Sequence, residues 1–231
     1  MIVPQSVNFF SVLSFAFLLT FPSLFAIINP IGAALIFDGV AKDFTRPERA
    51  GLAARVSAYS LCVVFGALWG GAYVLSFFGV SLDALRIAGG VVVALNAWRL
   101  LMSDDSRADR KSGNPAAAGE APIDPLRLAF FPLTLPFTTG PGTIAVAITI
   151  GAERPSSGAG VLAFFIGASL AAVANAAIIW IAYRFSGRMT ELLGPAARLA
   201  IARLSAFLLM CIGTQILISA VGDLVREWRS G

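Results

Sequence analysis

The chain has 231 residues, 58% of them hydrophobic and only 13% charged, with a mean hydropathy of +0.82. A soluble domain carries about 25% charged residues, so this composition excludes an ordinary soluble fold and points to an all-α, polytopic membrane bundle. The absence of histidine removes imidazole metal sites and His-based catalysis, and a net charge of +4, placed mostly in loops, implies no nucleic-acid partner.

Six apolar segments follow in order: 8–37, 52–75, 84–102, 127–150, 159–183 and 198–221. Each is near the ~20 residues a helix needs to cross the hydrocarbon core, except the first, which at about 30 is long for one span. It is a tilted helix, a helix with its first turns at the interface, or a re-entrant hairpin broken at Pro22 or Pro30. Met1–Val7 holds no Lys or Arg, and no small-residue cleavage site follows the first apolar run, so a cleaved signal peptide is not expected. Cys62 and Cys211 both fall in apolar segments and read as small buried hydrophobes. The polar stretch 103–126, rich in Asp, Arg, Gly and Ala, cannot bury a core and reads as a flexible cytoplasmic linker.

The linker divides one membrane domain into 1–102 and 127–231, three segments each. The halves are weakly alike. Pro22 and Asn29-Pro30 in the first segment match Pro132 and Gly140-Pro141 in the fourth, and Leu85-Arg86-Ile87 matches Ala202-Arg203-Leu204. Three spans per half is odd, so the second half enters from the opposite side. The expected architecture is a 3+3 inverted-topology repeat with broken first and fourth helices. With both termini outside the cytoplasm, 13 of the 17 Lys and Arg residues lie on the inner side, the exceptions being Arg86, Arg154, Arg226 and Arg229. The positive-inside rule favours that orientation.

Two motifs carry the chemistry. In Asn29-Pro30-Ile31-Gly32, Asn is a strong N-cap and Pro is favoured at the first helical position. The motif therefore ends one helical piece and starts another. Thr138-Thr139-Gly140-Pro141-Gly142 repeats the pattern, with Thr or Gly as the cap. Each presents unpaired N–H groups and the positive end of a helix dipole inside an apolar segment. In an inverted repeat the two tips meet near the midplane, a geometry that suits a small carboxylate. Gly32, Gly140 and Gly142 let a ligand approach the backbone, and Asn29, Thr138 and Thr139 add side-chain hydrogen bonds. A substrate side chain would face Ile31, Ala33 and Ala145. The bland alternative is a pair of proline kinks satisfied by neighbouring helices.

Other polar groups are few. Asn96, Asn175, Thr214 and Gln215 read first as interhelical packing bonds, with a pathway lining as the alternative. Asp38, Asp83, Arg86 and Arg203 flank the segments and are either snorkelling charges or gate ion pairs. Gly66-Ala67-Leu68-Trp69-Gly70 and the Ala163, Gly167, Ala171 series read as close helix contacts, within the bundle or in a homo-oligomer. No acidic pair lies in a segment and the cysteines are isolated, so an enzyme is not expected and no cofactor is implied beyond a coupling H⁺ or Na⁺.

These motifs resemble the MarC family of bacterial inner-membrane proteins. The likeness rests on Phe25-Ala26-Ile27-Ile28-Asn29-Pro30-Ile31-Gly32, on Leu85-Arg86-Ile87-Ala88-Gly89-Gly90, and on Phe131-Pro132-Leu133-Thr134-Leu135-Pro136 followed by Gly140-Pro141-Gly142-Thr143-Ile144. It covers nearly the whole chain. Within the halves there is a wider likeness to LysE-type amino-acid exporters. The resemblance implies a multi-pass protein of the bacterial inner membrane. It also implies transport of small neutral amino acids such as glycine and alanine, which some members carry out. A non-transporting scaffold or regulator, or a passive channel, is the alternative. Thr138 and Thr139 depart from the small or aliphatic residues that many members place before Gly-Pro-Gly, and they make this break more polar.

Overall fold

The structure is a computed structural model that describes residues 8–102, 125–155 and 158–230. The expected linker at 103–126 lies outside the described residues, save its last two, which open a helix. Among the described residues every regular element is helical. The elements are α1 (Phe9–Ile28), α2 (Pro30–Val40), α3 (Arg46–Phe78), α4 (Leu82–Leu101), the single turn α5 (Pro125–Leu128), an irregular wide-turned stretch (Ala129–Thr138), α6 (Pro141–Ala152), α7 (Ala159–Arg184) and α8 (Ser186–Ser230). Among the described residues five helices are long and apolar enough to cross a membrane, and six when the bent pair 126–138 and 141–152 counts as one span.

Local chemistry sets the boundaries. α3 starts at a capping box, in which Glu48 Oε2 accepts from the Thr45 N–H at 2.8 Å. It runs 33 residues, about 50 Å at 1.5 Å per residue. It stops at Gly79, whose φ of 67° closes the helix in the left-handed region. α4 opens on Ser81, whose side chain accepts from the Ala84 N–H at 3.1 Å. α8 is broken at Gly194 (φ 64°, ψ 167°) before Pro195. Its membrane stretch therefore begins at Ala196 and runs to Arg226, longer at both ends than the expected 198–221.

Helices from the two parts of the chain interleave. α1 packs along α7, α4 along α8, and α3 against α6 and α7, while α6 also lies on α4 and α2 on α8. The core gathers Leu24, Ile28, Phe37, Leu52, Val56, Leu133, Ile179 and Tyr183. Close approaches rely on missing side chains. A Cβ on Gly213 would sit 2.7 Å from the Ala94 nitrogen, and one on Gly167 would sit 2.3 Å from the Leu13 carbonyl oxygen. The Ala163, Gly167, Ala171 series is thus a true helix contact, with both alanines fully buried.

Several expectations change. Gly66 and Gly70 meet nothing within 4 Å; the close contact of α3 falls on the next residue, Gly71, where a Cβ would overlap Ile148. Cys62 and Cys211 are exposed on the outer surface, not buried. They share that surface with Phe10, Leu18, Phe77 and Ile218, as a lipid-facing shell requires. Among the described residues, Thr214 and Gln215 bond only within their own helix, to the Met210 carbonyl and to Ser219, and Asn96 is exposed. None of the three is interhelical glue.

Candidate functional site

The first segment is one 32-residue span, Phe9–Val40, interrupted at Asn29 without the sharp turn of a hairpin. Asn29 sits at φ 48°, ψ 66°, a left-handed conformation that Asn tolerates better than other residues with a Cβ. Asn29 serves two helices. Its N–H closes α1 on the Phe25 carbonyl at 3.0 Å, and its Oδ1 caps α2 by accepting from the Gly32 N–H at 3.3 Å. Pro30 has no N–H, so the Ala26 carbonyl one turn earlier has no amide to accept. The Asn29 side chain fills the space beside Gly32, where a Cβ would lie 2.5 Å from Nδ2.

The second break is sharper, a 69° bend. Residues before proline avoid the helical region, and Phe131 (φ −128°, ψ 124°) and Leu135 (φ −113°, ψ 120°) are accordingly extended. The chain recovers hydrogen bonds through wide turns. The Thr139 N–H reaches the Thr134 carbonyl at 2.8 Å, and the Thr134 and Thr138 hydroxyls donate to the carbonyls five residues back, Ala129 at 2.8 Å and Leu133 at 2.6 Å. Pro141 then starts α6 with Gly140 as N-cap and no side chain capping the turn. The Gly142 and Thr143 N–H groups at this tip therefore have no cap of the Asn29 kind. Thr139 is fully buried beside them and its hydroxyl makes no hydrogen bond.

The two breaks lie close together. A Cβ on Gly142 would be 3.3 Å from Ile27 Cδ1, two residues before Asn29, and 2.0 Å from Val93 Cγ2 on α4. A second bridge runs through Tyr183 on α7, which no motif in the sequence singles out. Its ring stacks on Phe37 of α2 at 4.5 Å between centroids. Its hydroxyl lies 2.6 Å from Thr138 Oγ1. Because Thr138 gives its one proton to Leu133, the tyrosine is the donor. Of the residues expected around a ligand, Ala33 and Ala145 are buried, and Ile31 is 47% exposed.

The charged groups form two clusters at opposite ends of α3. At one, Asp38 pairs with Arg49, which also donates to Ser186 Oγ at 3.2 Å. The partner of Asp38 is thus Arg49, not Arg86 or Arg203. At the other, Arg86 on α4 holds Asp83 (3.6 Å), Glu153 at the end of α6 (2.9 Å) and Asp223 on α8 (3.3 Å). Arg203 is exposed and joins no ion pair among the described residues. It therefore does not mirror Arg86. Both clusters tie an element before the linker to one after it.

The family model for the MarC family integral membrane proteins matches residues 14–225. The UPF0056 inner membrane protein MarC of Escherichia coli (strain K12 / DH10B) is 31% identical over 206 residues, covering 89% of this chain and 93% of that protein. The protein of the same name from Salmonella paratyphi A is 31% identical over 211 residues, with the same coverage. No solved structure matches this one.

Proposed function

The chain belongs to the MarC family of integral membrane proteins, and on that premise we propose that it is a secondary transporter or exporter of small neutral amino acids or similar zwitterionic metabolites. The observation that carries this reading is the buried tip of α6. Two uncapped backbone N–H groups and the unpartnered Thr139 hydroxyl stand there together, against the end of α1. A carboxylate supplies the acceptors such a tip lacks. Asn29 caps the opposing helix and can exchange its Gly32 bond for one to the substrate.

The packing supports an inverted repeat. Exchanging spans one and four, two and five, and three and six turns the α1–α7 contact into the contact of Ala129–Thr138 with α3, and the α2–α7 contact into the α3–α6 contact. It turns the α2–α8 contact into the α4–α6 contact, and it leaves the second–fifth and third–sixth contacts in place. Rocking of the halves about the two breaks would alternate access. The Asp38–Arg49 and Arg86 clusters, about 35 Å apart by the rise of α3 from Arg49 to Tyr73, beside which Arg154 follows Glu153, would then act as gates at the two faces. Both termini would lie on the non-cytoplasmic side. The coupling ion is H⁺ or Na⁺.

Purified protein in liposomes tests this. Labelled glycine or alanine should accumulate under an imposed H⁺ or Na⁺ gradient, with saturable counterflow, and Thr139→Val should weaken uptake. Flux without saturation would mean a passive channel. No movement of any amino acid under either gradient would leave the kinks as structural features of a scaffold.

A further inference from the structure

A small cavity of about 10 Å³ lies between α1, α3 and α7, just before the Asn29 break. That is room for a single water or small ion. Its walls are apolar, Leu24 and Ile28 from α1 among them, except for Ser60 and Asn175. Both polar residues are 1% exposed, and the Ser60 Oγ and Asn175 Oδ1 atoms have no hydrogen-bond partner. The Asn175 amide is held by its other end: Nδ2 donates to the Ala171 carbonyl at 2.9 Å and to the Phe21 carbonyl at 3.2 Å. Both amide protons are thereby used, and the oxygen is fixed with its lone pairs free. Ser57, one turn earlier on α3, shows the contrast, since its hydroxyl is satisfied by the Ala176 carbonyl at 2.6 Å. One turn before Leu24, Thr20 adds a third buried hydroxyl without a partner.

Every orphan here is an oxygen. α1 ends at Ile28, a residue of the cavity wall, so the negative end of its dipole lies beside the cavity. No titratable side chain lines the cavity, so it cannot store a proton. Without a carboxylate it also lacks the charge that divalent sites use. Neutral oxygens at the C-terminal end of a half-helix suit a small monovalent cation. We infer that this cavity is a Na⁺ site, with Ser60 Oγ, Asn175 Oδ1 and carbonyl oxygens at the end of α1 as ligands. Occupancy would fix the end of α1 and hence the Asn29 cap; on the transport reading above, this is the coupling ion.

The test needs no substrate. Thermal unfolding of the full-length protein in detergent is followed in NaCl, KCl and choline chloride at equal ionic strength, alongside direct binding of ²²Na⁺. A saturable rise in Tm specific to Na⁺ is expected. Ser60→Ala should weaken the apparent Na⁺ affinity by about tenfold or more. Ser60→Cys keeps the side-chain shape and replaces the hard oxygen by sulfur, a poor ligand for a hard cation, so Na⁺ should saturate only at higher concentration. This second variant keeps the test decisive if Ser60→Ala folds poorly. A wild-type response that is equal in all three salts, with no ²²Na⁺ bound, would mean a resident water and would overturn the site. It would leave amino-acid transport standing, driven by H⁺. Full Na⁺ binding by both variants, unchanged in affinity, would also overturn the assignment.

Discussion

The two helix breaks look alike in sequence and differ in chemistry. At Asn29 the chain turns through one left-handed residue whose own side chain caps the new helix. At Gly140 it turns through a longer wide-coiled stretch, bends by 69°, and starts α6 with no cap. The first break is therefore nearly self-sufficient, and the second leaves its first donors without a side-chain cap. On the transport reading proposed above, the difference gives the breaks unequal roles: α6 would supply the standing anion site, and Asn29 the adjustable partner.

The strongest way to break that comparison is at the two glycines. A Cβ on Gly142 would overlap Val93 and crowd Ile27, whereas a Cβ on Gly32 meets only the Asn29 amide. Gly142→Ala should abolish most transport and cost about 1–3 kcal/mol of stability through overpacking, read by liposome uptake and thermal unfolding. Val93→Ala in the same protein should restore much of both, because it removes the atom in the way. Gly32→Ala should be milder. If Gly32→Ala proves the worse of the two, the Asn29 break is the more tightly built and the roles are reversed.

A finer division concerns the adjacent threonines. Thr138 accepts from the Tyr183 hydroxyl and donates to Leu133, while Thr139 bonds to nothing through its side chain. Thr138→Val strands a buried tyrosine hydroxyl and should lower stability by about 1–3 kcal/mol. Thr139→Val should leave stability unchanged or slightly higher, yet raise the KM for amino-acid uptake. Equal KM in wild type and Thr139→Val would mean that this hydroxyl faces no substrate.

What could be read from sequence was what depends on neighbours along the chain. Asn-Pro and Gly-Pro inside apolar runs force a helix end wherever the helices later pack, so both breaks were legible. The sequence likewise showed that the first segment is too long for a simple span. Partners across the bundle were not legible. Nothing local distinguishes Tyr183 from an interfacial tyrosine, because its role comes from Phe37 and Thr138, far away in the chain. The Gly66–Gly70 spacing fits a packing motif, but one helical step of rotation puts the contact on Gly71 instead. Asn175 was half legible: its nitrogen joins α7 to α1 as packing glue, and its oxygen does something that only the cavity reveals.

The smallest expected effect separates the two jobs of Asn29. Its left-handed backbone and its capping side chain are independent demands, and glycine meets only the first. Asn29→Ala fails both: it loses a cap worth about 1 kcal/mol and places an alanine where the left-handed turn costs about another 1 kcal/mol. Asn29→Gly keeps the turn and should cost only a few tenths of a kcal/mol. The two variants should therefore differ clearly in thermal unfolding, with Gly nearly native. Transport sharpens the point. If the Asn29 amide reaches the substrate, Asn29→Gly should be close to native in stability and impaired in uptake, with KM raised more than Vmax is lowered. If Asn29→Gly transports as well as wild type, the residue is only a joint between helices, and the α6 tip holds the carboxylate alone.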